Sequence, residues 1–309
     1  MKNIYKMQLK TIGAALLIVS AMVTRAQGKI RLPEKYKKLD MEAHRGGRGL
    51  MPENTIPAML HAIDMGVTTL EMDMQVTKDG QIVVSHDANF NAGFTTTPEG
   101  DTLTKAEAKK RLLYTMPYDS IKKYDVGKKF YADFPKQEKI AVVKPLLKDL
   151  LTATEAYAKK KGVAVQYNIE IKSNPKGEGV SCPPVETFTD LAMQTILPFH
   201  MGKRLIIQCF DERALKIMHQ KYPQVQTSLL IGDKEKRSLD EQLKSLGYTP
   251  EYYSPHYALV TPELVKDCHR RNMKIVPWTP DDFTTIKRLA DMGVDGIITD
   301  YPDLFSQLK

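Results

Sequence analysis

Eight short, β-rich apolar runs recur between amphipathic segments, and few folds can absorb that alternation. The runs cover 39–43, 67–73, 163–171, 205–209, 227–231, 252–260, 274–278 and 296–299. Apolar residues at helical spacing fill 54–65, 146–160, 211–221, 239–246, 262–271 and 283–292. Strands separated by helices pair in parallel, because each return needs a crossover. Eight such units predict an α/β fold, the (β/α)8 TIM barrel. At 309 residues and 42% hydrophobic content the chain can bury that core with residues to spare.

Two segments depart from the alternation. Residues 81–85 form a ninth apolar run, joined to the second by Thr77-Lys78-Asp79-Gly80. Asp-Gly between apolar runs signals a hairpin, so an antiparallel β-hairpin arm is expected after strand 2. With Val76 opposite Gln81, Glu71 faces His86; shifted by one residue, Asp73 faces His86 instead. Residues 88–144 are irregular and rich in Tyr and Phe, with a charged helical stretch at 104–113. That length exceeds an ordinary connection and predicts an insertion folded over one barrel face as a lid or subdomain.

The first 26 residues read separately. Lys2, Lys6 and Lys10 precede an apolar run at 12–23, and the small residues Thr24 and Ala26 flank Arg25. This is the pattern of a signal peptide cut near Ala26, and about 12 apolar residues fall short of the ~20 that span a bilayer. Export to the periplasm or the exterior is expected, leaving 27–309 as one domain without stable membrane insertion. Removing four cations and no acid takes the net charge from +8 to +4. So mild a balance gives no reason to expect a nucleic-acid partner, and it suits an anionic small-molecule substrate. No oligomeric state follows from the pattern. Cys182, Cys209 and Cys268 lie far apart; one disulfide is arithmetically possible, and spacing selects no pair.

Polar residues stand at strand ends where an inert barrel needs none. The first strand ends in Ala43-His44-Arg45-Gly46-Gly47, the second contains Glu71-Met72-Asp73, the hairpin returns as Ser85-His86-Asp87, and the third ends in Glu170-Ile171-Lys172. Residues two apart on a strand share a face, so Glu71 and Asp73 point together, as do Glu170 and Lys172. Three converging carboxylates repel one another unless neutralised, either by a hard divalent cation, Mg2+ or Ca2+, or by ion pairs with Arg45 and Lys172. His44 and His86 titrate near neutrality and can pass protons beside that cluster. Arg45 and Lys172 offer donors to a phosphoryl group. The remaining histidines are read as structural, and the glycines after Arg45 as sites where backbone can approach a ligand.

The ordered set His44-Arg45-Gly46-Gly47, Pro52-Glu53-Asn54-Thr55, Glu71-Met72-Asp73, His86-Asp87, Ile169-Glu170-Ile171-Lys172, Trp278-Thr279 and Gly293 to Pro302 resembles the glycerophosphodiester phosphodiesterase family. The resemblance implies a metal-dependent hydrolase that releases sn-glycerol 3-phosphate and an alcohol from diesters such as glycerophosphocholine or glycerophosphoethanolamine. It implies His44 and His86 as general acid and base, and Glu71, Asp73 and Glu170 as ligands to one divalent cation. It further implies Arg45 and Lys172 on phosphate and Trp278 lining the substrate pocket. Asn89 to Thr95 and Gln208-Cys209-Phe210 depart from the family pattern around the pocket. Two other readings stay open: a phospholipase-type phosphodiesterase acting on intact lipid head groups, and a non-catalytic glycerophosphodiester-binding module.

Overall fold

The computed structural model describes residues 29–309; the expected signal peptide lies outside the described residues. Among the described residues nine strands form one sheet: β1 Asp40–Ala43, β2 Thr69–Val76, β3 Ile82–Val84, β4 Gln166–Ile171, β5 Leu205–Cys209, β6 Gln226–Ile231, β7 Tyr252–Pro255, β8 Lys274–Ile275 and β9 Gly296–Thr299. Their order is β8-β7-β6-β5-β4-β2-β1-β9, parallel throughout, with β3 antiparallel on β2. The ring closes where Asp295 N–H donates to Ile275 O at 2.9 Å and Ile298 N–H to Pro277 O at 3.0 Å. The result is the expected parallel barrel of eight strands wrapped by helices.

Local chemistry explains the elements. Helix Ile56–Met65 starts on Thr55, whose hydroxyl accepts from Ala58 N–H, and stops at Gly66 in the left-handed region at φ 86°. Ala58, Met59, Ala62 and Ile63 form its buried face. Every residue of β2 is buried. Leu70, Met72 and Met74 join the core under the helices, while Glu71 and Asp73 take the opposite face, toward the barrel mouth.

Three expectations need correction. The hairpin pairs Val76 with Ile82 and Met74 with Val84, between the two registers considered, so the pairing carries Asp73 opposite Ser85 rather than opposite His86. Pairing at 252–260 ends at Pro255, because a 3-10 turn over Tyr257–Leu259 follows, capped by His256 Nδ1 accepting from Ala258 N–H. Regular pairing at 274–278 covers only Lys274–Ile275; Pro277 has no N–H to give the ladder, and Trp278 rejoins through single bridges to His256 and Ile298. One helix, Val185–Ile196, lies where no helical run was singled out.

The 88–144 segment carries a small core of its own. Phe90, Phe94, Leu103, Leu113, Ile121 and Val126 are buried together with Val83 of β3, and Phe90 stacks on Tyr124 at 4.1 Å between centroids. The segment reaches the barrel rim through Phe134, over which the Arg48 guanidinium sits at 4.6 Å. All three cysteines are free and buried. Among the described residues no helix is long and apolar enough to cross a membrane.

Candidate active site

The functional residues gather at the C-terminal ends of the strands, the face on which barrels of this kind present their loops. After β1 the chain turns at once: Arg45 adopts φ 51°, and Gly46 follows at φ 81°. A Cβ on Gly46 would stand 2.7 Å from the Ala58 methyl, so this glycine seats the turn on its helix rather than admitting a ligand. The turn brings Arg45 N–H to Glu71 Oε2 at 2.7 Å, joining the ends of β1 and β2.

Glu71, Asp73 and Glu170 are buried, and each can offer an oxygen within 4.8 Å of the other two. Gln208 Nε2 donates to Glu71 Oε1 at 2.8 Å, and Asn54 Nδ2 donates to Asp73 Oδ2 at 2.8 Å. Lys172 Nζ lies 2.9 Å from Glu170 Oε1 and Arg45 Nε 3.4 Å from Asp73 Oδ2, so the ion pairs considered from sequence do form. They leave Asp73 Oδ1 buried without a hydrogen bond, with Lys172 Nζ no nearer than 3.7 Å. Burial and then the neighbouring Asp73 charge push the Glu71 carboxyl well above its ordinary range. Burial raises Glu170 as well, against the opposing charge of Lys172. Burial would also raise Asp73, but His86, Lys172 and Arg45 outweigh it and hold that carboxyl far below the usual range. Three oxygens, one of them unpartnered and all hard donors, fit a divalent cation of the Mg2+ or Ca2+ type.

Both histidines are anchored through Nδ1. His44 Nδ1 lies 2.5 Å from Asp300 Oδ1, which also accepts from Arg48 Nε at 2.8 Å. Burial, assisted by Arg45 and Arg48, lowers His44 to about 4 despite Asp300. His86 Nδ1 lies 2.8 Å from Asp87 Oδ1, and Gln75 Nε2 donates to the His86 carbonyl at 3.1 Å. Each ring therefore has its Nε2 left for other partners.

A cavity of about 220 Å³ takes in His44, Arg45, Glu71, His86, Glu170 and Lys172. Trp278 forms part of its wall, held by Nε1 donating to Ser254 O at 3.0 Å and meeting Phe210 edge-on at 5.6 Å. Asp73 lies behind the cavity surface, tied to its neighbours by the contacts above. All eight side chains singled out from sequence thus meet at one mouth. Sequence reasoning gave no role to Asp300, Asp87, Arg48, Gln208 or Asn54. Asp300 and Asp87 did carry one signal: each directly follows a strand end or sits beside a singled-out histidine.

Two anchored imidazoles, buried carboxylate oxygens and the Arg45 and Lys172 charges thus share one small cavity at the mouth of an α/β barrel. Residues 44–304 match the model of the glycerophosphoryl diester phosphodiesterase family. The chain belongs to that family. It is 31% identical to the glycerophosphodiester phosphodiesterase of Bacillus altitudinis over 84% of this chain and 94% of the relative. A crystal structure from Silicibacter pomeroyi superposes with a TM-score of 0.77 at 29% identity, covering 87% of this chain and 92% of the other. The Oleispira antarctica phosphodiesterase, solved with the product sn-glycerol-3-phosphate, shares the fold with a TM-score of 0.66 at 20% identity, covering 90% and 95%.

Proposed function

We propose that the protein hydrolyses glycerophosphodiesters, such as glycerophosphocholine or glycerophosphoethanolamine, to sn-glycerol 3-phosphate and an alcohol. The observation that carries this reading is the pair of carboxylate-anchored histidines, His44 on Asp300 and His86 on Asp87, lining the cavity that holds Glu71 and Glu170. Glu71, Asp73 and Glu170 would hold one Mg2+ or Ca2+, whose charge would neutralise the phosphodiester oxygens.

The chain's own groups supply the rest. Arg45 and Lys172 bind and orient the phosphoryl oxygens. His44, neutral near pH 7 with Nδ1–H donated to Asp300, presents an unprotonated Nε2 that can take a proton from the attacking oxygen. His86, turned by Asp87, protonates the departing alkoxide. Trp278 and Phe210 provide apolar surface for the carbon skeleton of the substrate. The basic start and apolar run before Ala26 support work outside the cytoplasm.

Release of glycerol 3-phosphate from glycerophosphocholine tests the reading. A chelator should stop the wild-type enzyme, and Mg2+ or Ca2+ should restore it. His44→Ala and His86→Ala should each lose roughly 10²- to 10⁴-fold in kcat. Full activity of chelated His44→Ala excludes the scheme.

A further inference from the structure

Lys144 is a buried ammonium outside every motif discussed so far. It is 5% exposed, is the last residue of the inserted segment, and its side chain forms a single hydrogen bond among the described residues: Nζ donates to Ser85 Oγ at 2.8 Å. The Phe90 and Phe94 rings lie at 6.0 and 5.8 Å. Burial lowers its pKa, while the negative charges of Glu53 and Asp87 oppose that shift. Apolar residues of similar volume often replace buried charges at no cost or with a gain, so stability alone gives no reason for an ammonium here.

Its single partner suggests what it does. Ser85 immediately precedes His86 and joins three structures at once. Its hydroxyl receives from Lys144 and donates to Asp87 O at 2.9 Å, while its N–H donates to Asp73 O at 3.0 Å. Around it, Val84 N–H donates to Pro145 O at 2.9 Å, so the backbone after Lys144 is bound to β3 itself. Asp87 in turn holds His86 Nδ1 at 2.8 Å and receives Asn91 Nδ2 at 3.2 Å.

We propose that Lys144 is a positioning residue for the His86–Asp87 pair, acting through the Ser85 hydroxyl, which donates to the Asp87 carbonyl. It fixes the turn in which Asp87 orients the His86 ring, and it ties that turn to the core of the insertion. The inference rests on the proposed role of His86.

Lys144→Met tests it with glycerophosphocholine and added cation, beside His86→Ala as control. The expected result is a loss of roughly 10- to 100-fold in kcat, the range for partners that orient catalytic ligands. KM should stay within roughly threefold, since substrate contacts are untouched. The midpoint of thermal unfolding should stay or rise, whereas a merely structural lysine would lower it. In an Asp87→Asn background, Lys144→Met should cost nothing further. Wild-type kcat in Lys144→Met, or a loss persisting in full beside Asp87→Asn, overturns the proposal. Lys144→Leu gives the same reading should the methionine variant not accumulate. An unimpaired His86→Ala would instead overturn the proposed function, which keeps the two failures distinct.

Discussion

His44 Nδ1 lies 2.5 Å from Asp300 Oδ1, a contact between side chains 256 positions apart in sequence. It is made possible by the parallel pairing of β1 with β9, which sets Ala43 beside Thr299 and so delivers both following residues to the same mouth. The pairing of β9 with β1 thus also holds the imidazole Nδ1 against a carboxylate.

Replacing Asp300 by Asn should therefore disable His44 without removing it. The amide cannot stabilise a protonated ring and can hold the wrong tautomer, so kcat should fall by about 10²-fold or more. Steady-state kinetics check this; an unchanged kcat would mean that His44 is not oriented through Asp300.

The low pKa of His44 predicts a pH dependence of stability. Folded His44 titrates at about 4, below its ordinary 6.5. Between those values the unfolded chain binds the extra proton, so stability from this site is present above pH 6.5 and declines as pH falls toward 4. Urea unfolding of wild type and His44→Gln over that range should show a shallower acid decline in the variant. Parallel declines would refute the assignment.

The cation site predicts an opposite slope. Burial and Asp73 raise Glu71, and burial raises Glu170, so without a cation their stability contribution is fully present below the ordinary carboxylate range and is lost as pH climbs. Cation binding needs both groups ionised and should release protons. The rise in unfolding temperature on adding Mg2+ or Ca2+ should be larger at pH 8 than at pH 5 and should shrink in Glu71→Gln. An increment independent of pH contradicts this.

Arg45 reaches Glu53 at 3.1 Å through Nη1 and Asp73 at 3.4 Å through Nε, a forked geometry that lysine cannot copy. Arg45→Lys should raise KM for glycerophosphocholine by about tenfold, equivalent to about 1.4 kcal/mol of lost binding. Unaltered KM and kcat would remove Arg45 from the phosphate site.

Much of this site was legible because strand alternation is local. Glu71 and Asp73 are two apart, so their common face followed from sequence alone. The hairpin was legible from Asp79-Gly80, but its register was not: one residue of slip separates the alternatives, and contacts with the rest of the fold, including Val84 N–H on Pro145 O, accompany the register adopted. Asp300 meets His44 only because the last strand pairs with the first, and Gln208 meets Glu71 only because β5 lies beside β4, neither of which a local pattern encodes. Lys144 was hidden for a different reason: a lysine in a charged, irregular segment reads as exposed until tertiary packing buries it.

In the proposed reaction, His44 and His86 beside the Glu71, Asp73 and Glu170 group cleave a glycerophosphodiester. A phosphorus NMR time course on glycerophosphocholine with Mg2+ or Ca2+, run on wild type and Asp73→Asn, tests it most directly. The expected result is sn-glycerol 3-phosphate as the phosphorus product of the wild type and no turnover above background in the variant or after chelation. A different phosphorus product, or undiminished turnover in Asp73→Asn, would contradict it.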